Sequence, residues 1–326
     1  MRAARALAIG FVAVAMNAVV LGQGWSQAYP SRTIQLIVAY AAGGTGDIVA
    51  RSVADKLGAA LGQSVVVENR AGASGAIGAH SVTTATPDGY TLLVGQTGEV
   101  AVNQHWLKGL TYDPDKDLMP IALAAVVPLA LVVPANAPYS TLPELLAALK
   151  AKPKMTFASA GIGTPGHFAG ELLKLQFDDN LTHVPYKGAG PALNDLIGNH
   201  VDFYFPGFPA AVPHVKAGTL KVLALSSAKR SATAPDIPTV AEVTGNKDYD
   251  FTLWAGIFAP RGTPQAVIER LNKEINKVIE DPEVKARLEA AGAVVAPMSV
   301  AQFKDFVQNE RAKYLRVIKQ TGVTSQ

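Results

Sequence analysis

Two stretches of this chain share one format. AYAAGGTGDIVARSVADKL, residues 39–57, and FASAGIGTPGHFAGELLKL, residues 157–175, each pass from an apolar segment through clustered glycines into helical spacing. A strand that turns through glycine into a helix is the first half of a βαβ unit, whose next strand runs parallel to the first. Such units, a hundred residues apart, ask for two mainly parallel sheets with helices on their faces. Glycine also lets backbone approach a ligand, and the first turn of a helix offers unpaired N–H groups with partial positive charge. Each stretch is therefore a candidate anion site.

The remaining pattern agrees. Strands are predicted at 33–40, 64–68 and 90–95, with helices at 47–61 and 76–86 between them. A second series follows: a helix capped by Thr141 through 150, a strand at 155–159, and a helix at 165–177. Strands at 183–186, 201–205 and 220–226 come next, with a helix at 191–197. Two apolar, extended runs, 121–133 (interrupted by Pro128) and 251–259, are where the chain could leave one α/β domain and return. The expected organisation is a discontinuous domain 1 at 29–126 and 254–326, and domain 2 at 127–253. Near the end, Thr263-Pro264 reads as the cap and first position of a helix with Val267, Leu271, Ile275 and Val278 on one face. Asp281-Pro282 and Ser299 start two more, the last with Phe303, Phe306, Tyr314 and Ile318 as apolar positions.

Residues 1–28 read as a secretory signal. Arg2 and Arg5 precede an apolar stretch from 6 to about 21, and Ser26-Gln27-Ala28 offers small residues for cleavage after Ala28. The stretch is short for a membrane anchor, and Asn17 interrupts it. Cleavage would lower the formal charge from +3 to +1, leaving no field suited to gripping nucleic acid. Cysteine is absent, so neither a disulfide nor a lipid-modified cysteine is available. The full sequence has 49% hydrophobic and 17% charged residues, and the mature chain reads as a well-cored exported protein without a membrane span.

The glycine loops do not carry nucleotide chemistry. Val49 occupies the third glycine position of a dinucleotide fingerprint, Asp47 would face the pyrophosphate, and no lysine follows in P-loop spacing. Neither loop holds Lys or Arg before its helix; Arg51 lies a turn inside and reads as a surface ion-pair partner. Neutral donors alone suit a carboxylate better than a phosphate. His167 and Glu171 share a helix face, yet two residues do not make a metal site, and 72–76 misses the G-x-S-x-G nucleophile elbow. No metal, cofactor or catalytic group is expected. Asp47 reads as a helix cap or as a contact to a ligand ammonium, Tyr40 as an aromatic cleft wall, and Lys187 as structural.

Several segments carry a family resemblance: GGTGD at 43–47 followed by Arg51, VVVENRAGASG at 65–75, PDGYTLL at 87–93, and ASAGIGTPGHFAGELL. HVPYKGAGPAL at 183–193, KAGTLKVLALSSAKR at 216–230, DIPTVAE at 236–242 and APRGTP at 259–264 continue it. In order and across the mature chain, they resemble the Bug family, the substrate-binding proteins of tripartite tricarboxylate transporters. The resemblance implies a two-lobed periplasmic binding protein of the Venus-flytrap type, its lobes joined by two crossing strands. It implies a monomeric periplasmic receptor that closes on a small carboxylate and presents it to membrane subunits. By position, the implied contacts are Tyr40, Ala42, Gly43, Gly44 and Asp47 in the first loop, and Ser159, Gly163, Thr164 and His167 in the second. Gln96 and Thr97 follow the strand at 90–95, and Pro206, Gly207 and Phe208 follow that at 201–205. Ala39 stands where the family usually has proline, Thr45-Gly46 is not its commonest pair, and Pro206 replaces a frequent polar residue. An exported hydrolase of carboxylic esters, using His167 with Glu171 or a nearby serine, and a sensor feeding a signalling partner are the alternatives.

Overall fold

The computed structural model describes residues 29–151, 154–175, 181–247 and 249–321. The signal segment expected at 1–28 and the last residues of the helix expected to reach 177 lie outside the described residues.

The chain enters the first sheet with β1 (Ile34–Val38), whose apolar residues are all buried because both faces of the strand are covered. Helix α1 (Thr45–Leu61) follows, with Val49, Val53, Leu57 and Leu61 as a buried stripe, and Gly62 ends it at φ 70° in the left-handed region. Then come β2 (Val65–Asn69), α2 (Ala76–Thr83) and β3 (Thr91–Gln96). Single helical turns at Asn103–Trp106 and Pro114–Asp117 lead into β4 (Leu118–Pro128). The second sheet is built from β5 (Ala130–Pro134), α3 (Leu142–Ala151), β6 (Met155–Ser159), α4 (Pro165–Lys174) and β7 (Leu181–Pro185). After these come α5 (Ala189–Ile197), β8 (Phe203–Tyr204), α6 (Phe208–Lys216) and β9 (Leu220–Leu225). The chain returns through β10 (Thr252–Pro260) and closes with α7 (Gln265–Glu280), α8 (Pro282–Ala290) and α9 (Val300–Thr321).

The strand orders are β2-β1-β3-β10-β4 and β7-β6-β8-β5-β9. In each sheet one strand opposes its neighbours: β10 is antiparallel to β3 and β4, and β5 to β8 and β9. Both are the strands the chain makes immediately after crossing from the other sheet. The apolar run at 121–133 is thus two strands, broken after Pro128, which lacks the N–H needed to continue a ladder. The two crossings lie side by side. The buried Ser226 hydroxyl donates to Phe251 O at 2.5 Å and accepts from the Leu129 N–H at 3.1 Å.

Each sheet has its own core. Trp254, Phe258 and Phe303 fill the first; Phe157, Phe168, Phe203 and Phe205 fill one face of the second. Helix α9 joins them: Phe303 packs on Trp254, whereas Tyr314 lies against Phe168 with ring centroids 5.9 Å apart. Two local expectations change. Helix α6 is not among the predicted elements; Pro209 falls in its first turn, where an N–H has no acceptor anyway, and Pro213 lies inside it. At α7 the Thr263 hydroxyl turns back to Pro260 O at 2.8 Å, and the helix starts after Pro264 without a side-chain cap. Its buried face holds Ile268 in place of Val267.

Candidate functional site

Four helices from the two lobes begin at one cavity. Gly44 and Thr45 at the start of α1, Thr164 and Pro165 at the start of α4, Ala189 at the start of α5 and Gly207 before α6 all line it. None of these helices has a side-chain cap. An uncapped start leaves backbone N–H groups for a ligand or for solvent.

The first loop turns at Gly43, φ 80°, and its shape is held by Asp47. The Gly43 N–H donates to Asp47 Oδ2 at 3.0 Å, and Arg51 Nε donates to Oδ1 at 3.0 Å. Burial alone would raise the pKa of this carboxyl, but the bonds from Arg51 and Gly43 outweigh it and hold the pKa below the usual value. Asp47 is thus neither the N-cap, which is Gly44, nor a free acid: both oxygens are engaged by the loop and its helix. The N–H groups of Gly44, Thr45 and Gly46 have no acceptor among the described residues. The Thr45 hydroxyl, in a residue only 3% exposed, has no partner either.

The second loop bonds to itself. Thr164 Oγ1 donates to Gly161 O at 2.7 Å, and the Gly163 N–H donates to His167 Nδ1 at 3.2 Å. Pro165 has no N–H, and the His167 N–H returns to Thr164 O at 3.0 Å, so Gly166 is left as the donor of that helix start. Ser159, fully buried, donates to Gly161 O at 3.0 Å and accepts from Gly161 N at 3.1 Å. Its oxygen also lies 2.6 Å from His183 Nε2, a bond that with this pattern takes its proton from the imidazole. Burial, reinforced by neighbouring charge, pushes His167 down to about 3 and His183 to about 4.

His167, Glu171 and His183 bring potential ligand atoms within 4.8 Å of one another, and His183 is the partner that spacing could not supply. The trio does not suit a metal. The bond from Gly163 to Nδ1 places the His167 proton on Nε2, the nitrogen 3.7 Å from Glu171. The two imidazoles are stacked at 4.2 Å, so their lone pairs cannot both aim at one ion. The trio buttresses the second loop from behind.

The start of α5 faces the first loop across the cleft. Ala41 N–H donates to Lys187 O at 3.3 Å, and the Ala189 nitrogen is 3.9 Å from where a Gly44 Cβ would stand. No acceptor is found among the described residues for the N–H groups of Ala189 and Gly190. Beside them, a Cβ on Gly207 would collide with the Thr45 hydroxyl. Gln96 at the end of β3 and Gly98 after it complete the first lobe's share, and a Gly98 Cβ would stand 2.5 Å from the Tyr40 hydroxyl. Behind Tyr40 lies Glu99, fully buried, its Oε1 accepting from the Gln96 N–H at 2.6 Å and its Oε2 unpartnered. Burial pushes this carboxyl up to about 8.

Of the residues expected at the site, Tyr40, Gly44, Gln96, Thr164 and Gly207 line the cavity. Ala42, Gly43, Asp47, Thr97, Ser159, Gly163, His167, Pro206 and Phe208 are outside its lining, in the same loops and in the adjoining strand end and first helical turns. Sequence reasoning missed Thr45, Ala189, Tyr204, Phe205, Leu129 and Leu253. Ala189 had a signal, because KGAGP at 187–191 repeats the strand–glycine–helix format. Leu129 and Leu253 had none, being single apolar residues in apolar runs.

The family model for the tripartite tricarboxylate transporter family receptor matches residues 49–323. BugT of Bordetella pertussis is 36% identical over 296 residues, covering 90% of each chain. The structure of R. palustris Rpa4515 with adipate superposes with a TM-score of 0.88 at 32% identity, covering 91% of this chain and 100% of that one. MatC from Rhodopseudomonas palustris with bound malate gives a TM-score of 0.81 at 33% identity, covering 89% and 100%. The two-lobed fold is that of these binding proteins, and the family is one of receptors, not of enzymes. The chain belongs to the tripartite tricarboxylate transporter family of receptors.

Proposed function

We propose that this chain is a periplasmic receptor that captures a small carboxylate between its lobes and hands it to the membrane subunits of a tripartite tricarboxylate-type transporter. The observation that carries this reading is the convergence of uncapped helix starts on a cavity lined by no charged side chain. Free amides of Gly44, Thr45, Gly46, Ala189 and Gly190, with the unpartnered Thr45 hydroxyl, form a neutral donor set suited to a single carboxylate charge. The adipate and malate held by the two structural relatives support the same ligand class. On this reading residues 1–28 are a signal removed on export, and the mature protein acts as a monomer. One lobe comprises 29–126 and 254–326, the other 127–253, with the paired crossings at Leu129 and Ser226 as the hinge.

Binding without turnover is part of the proposal. The Ser159–His183 pair has the spacing of a nucleophile and base, but Ser159 is sealed from the cavity and already bonded to both sides of Gly161. The test is a thermal-shift screen on protein stripped of bound solute by unfolding and refolding. Small carboxylates should raise the melting temperature, and sugars or nucleotides without a carboxylate should not. A screen in which only sugars or nucleotides stabilise the protein overturns the reading.

A further inference from the structure

The free backbone donors of the cavity are concentrated around Thr45. Thr45 is their hub: Gly44 adjoins Ala189, and Gly207 closes directly on the Thr45 hydroxyl, so the starts of α1, α5 and α6 meet there. The hydroxyl is buried and without a partner. Most of the remaining wall is hydrocarbon and aromatic, from Leu129, Leu253, Phe205, Pro165 and the rings of Tyr40 and Tyr204, with Gln96, Thr164 and Gly166 as the polar members. The fourth helix start, at α4, cannot form an equal second pole. Its loop donors are bonded by His167 and Gly161 and proline removes another, which leaves the Gly166 N–H alone at this start. Against it stand the Gly44 and Thr45 amides and a hydroxyl at α1, and the Ala189 and Gly190 amides at α5. Among the described residues, no Lys, Arg or His lines the cavity. The nearest acids are engaged or sealed off: Asp47 is held by Gly43 and Arg51, and Glu99 lies buried behind Tyr40.

From this asymmetry, and resting on the carboxylate-receptor reading above, we infer that the solute carries one carboxylate on an apolar body. The charge is held at Thr45, with a short aliphatic chain or a single aromatic ring against Leu129, Leu253, Tyr204 and Phe205. A second carboxylate on the same skeleton would lie in this mainly apolar part, stripped of water. There it would have the Gly166 N–H and the Gln96 side chain as its polar neighbours, with no cation and no comparable set of free amides. It would also repel the first across a medium of low dielectric constant. Di- and tricarboxylates are therefore selected against by the distal wall, whereas the pole at Thr45 accepts any carboxylate.

The test is calorimetric titration of refolded, solute-free protein with acids matched in skeleton: hexanoate against adipate, and benzoate against terephthalate. At least one monoacid should bind ten times more tightly than its diacid, and Thr45→Val should weaken that monoacid while the protein keeps its unfolding midpoint. If the diacids bind as tightly as the monoacids or more so, the one-carboxylate inference fails and the receptor reading stands. If none of the four acids binds and a thermal-shift screen finds only uncharged ligands, both fail together.

Discussion

The backbone of Gly190, at the start of α5 in the second lobe, packs directly on the carbonyl oxygen of Ala42 in the first. A Cβ on Gly190 would lie inside the van der Waals contact of that oxygen, so the lobes can meet only if this position has no side chain. Once the lobes part, the same Cβ is free of that oxygen. Gly190→Ala should accordingly fold with a normal unfolding midpoint, bind solute at least tenfold more weakly, and stay extended in solution scattering when ligand is added. Normal affinity with ligand-induced compaction would show that the Gly190–Ala42 contact does not limit closure. Gly44→Val should behave similarly for a gentler reason. Its φ of −80° tolerates a side chain, but the added methyls meet Ala189.

Thr45 and Thr164 both line the cavity, yet their hydroxyls do different work. That of Thr45 has no partner, so Thr45→Val should leave stability within about 0.5 kcal/mol and cost affinity, on the order of 1–3 kcal/mol if a ligand oxygen is left unpaired. That of Thr164 donates to Gly161 O, so Thr164→Val should lose about 1 kcal/mol of stability and affect binding only through the loop. Urea unfolding and calorimetry on both variants separate the effects. A stable Thr164→Val protein with abolished binding would reverse the assignment.

Glu99 couples stability to pH. Burial holds its folded-state pKa at about 8, well above the usual value of 4.5. Between those values the folded protein keeps a proton that the unfolded chain releases, so unfolding becomes easier as pH rises, by up to about 1.4 kcal/mol per pH unit. This contribution is complete below the unfolded pKa and is lost as pH climbs through the folded one. Glu99→Gln keeps an acceptor for the Gln96 N–H and cannot ionise. Its unfolding midpoint in urea should stay flatter between pH 5 and 8 than that of the wild type and exceed it at pH 8. Parallel pH profiles for the two proteins would mean that Glu99 titrates normally.

Ser226 ties the two crossing segments together at the proposed hinge. Ser226→Ala removes the donor to Phe251 O and leaves the buried Leu129 N–H without its acceptor, so a loss of about 1–3 kcal/mol is expected. Affinity should change less than for Thr45→Val, because no solute contact is lost. A variant that unfolds like the wild type but no longer compacts with ligand would show that the tie guides motion more than it stabilises.

The βα order, both glycine loops and the family were legible in residue pattern. Strand and helix periodicity, Pro128 and the glycine clusters are local properties of the chain, and local properties survive into any fold it adopts. The same logic failed at α6, where Pro209 occupies the first turn, whose N–H has no intrahelical acceptor, and the helix accommodates Pro213 in its interior. It also failed at Thr263, whose hydroxyl found a nearer acceptor than the helix it was expected to cap.

Which residues face the solute was a different kind of question. The sequence by itself determined that two glycine-rich helix starts exist and that they lack cations. Only the tertiary structure decided that four such starts share one cavity, that the second loop satisfies its own donors through His167 and Gly161, and that Leu129 and Leu253 wall the far side. The physical reason is range. A helix start or a turn is set by residues within a few positions of one another. A cleft is set by which surfaces two sheets bring together when the chain crosses between them twice.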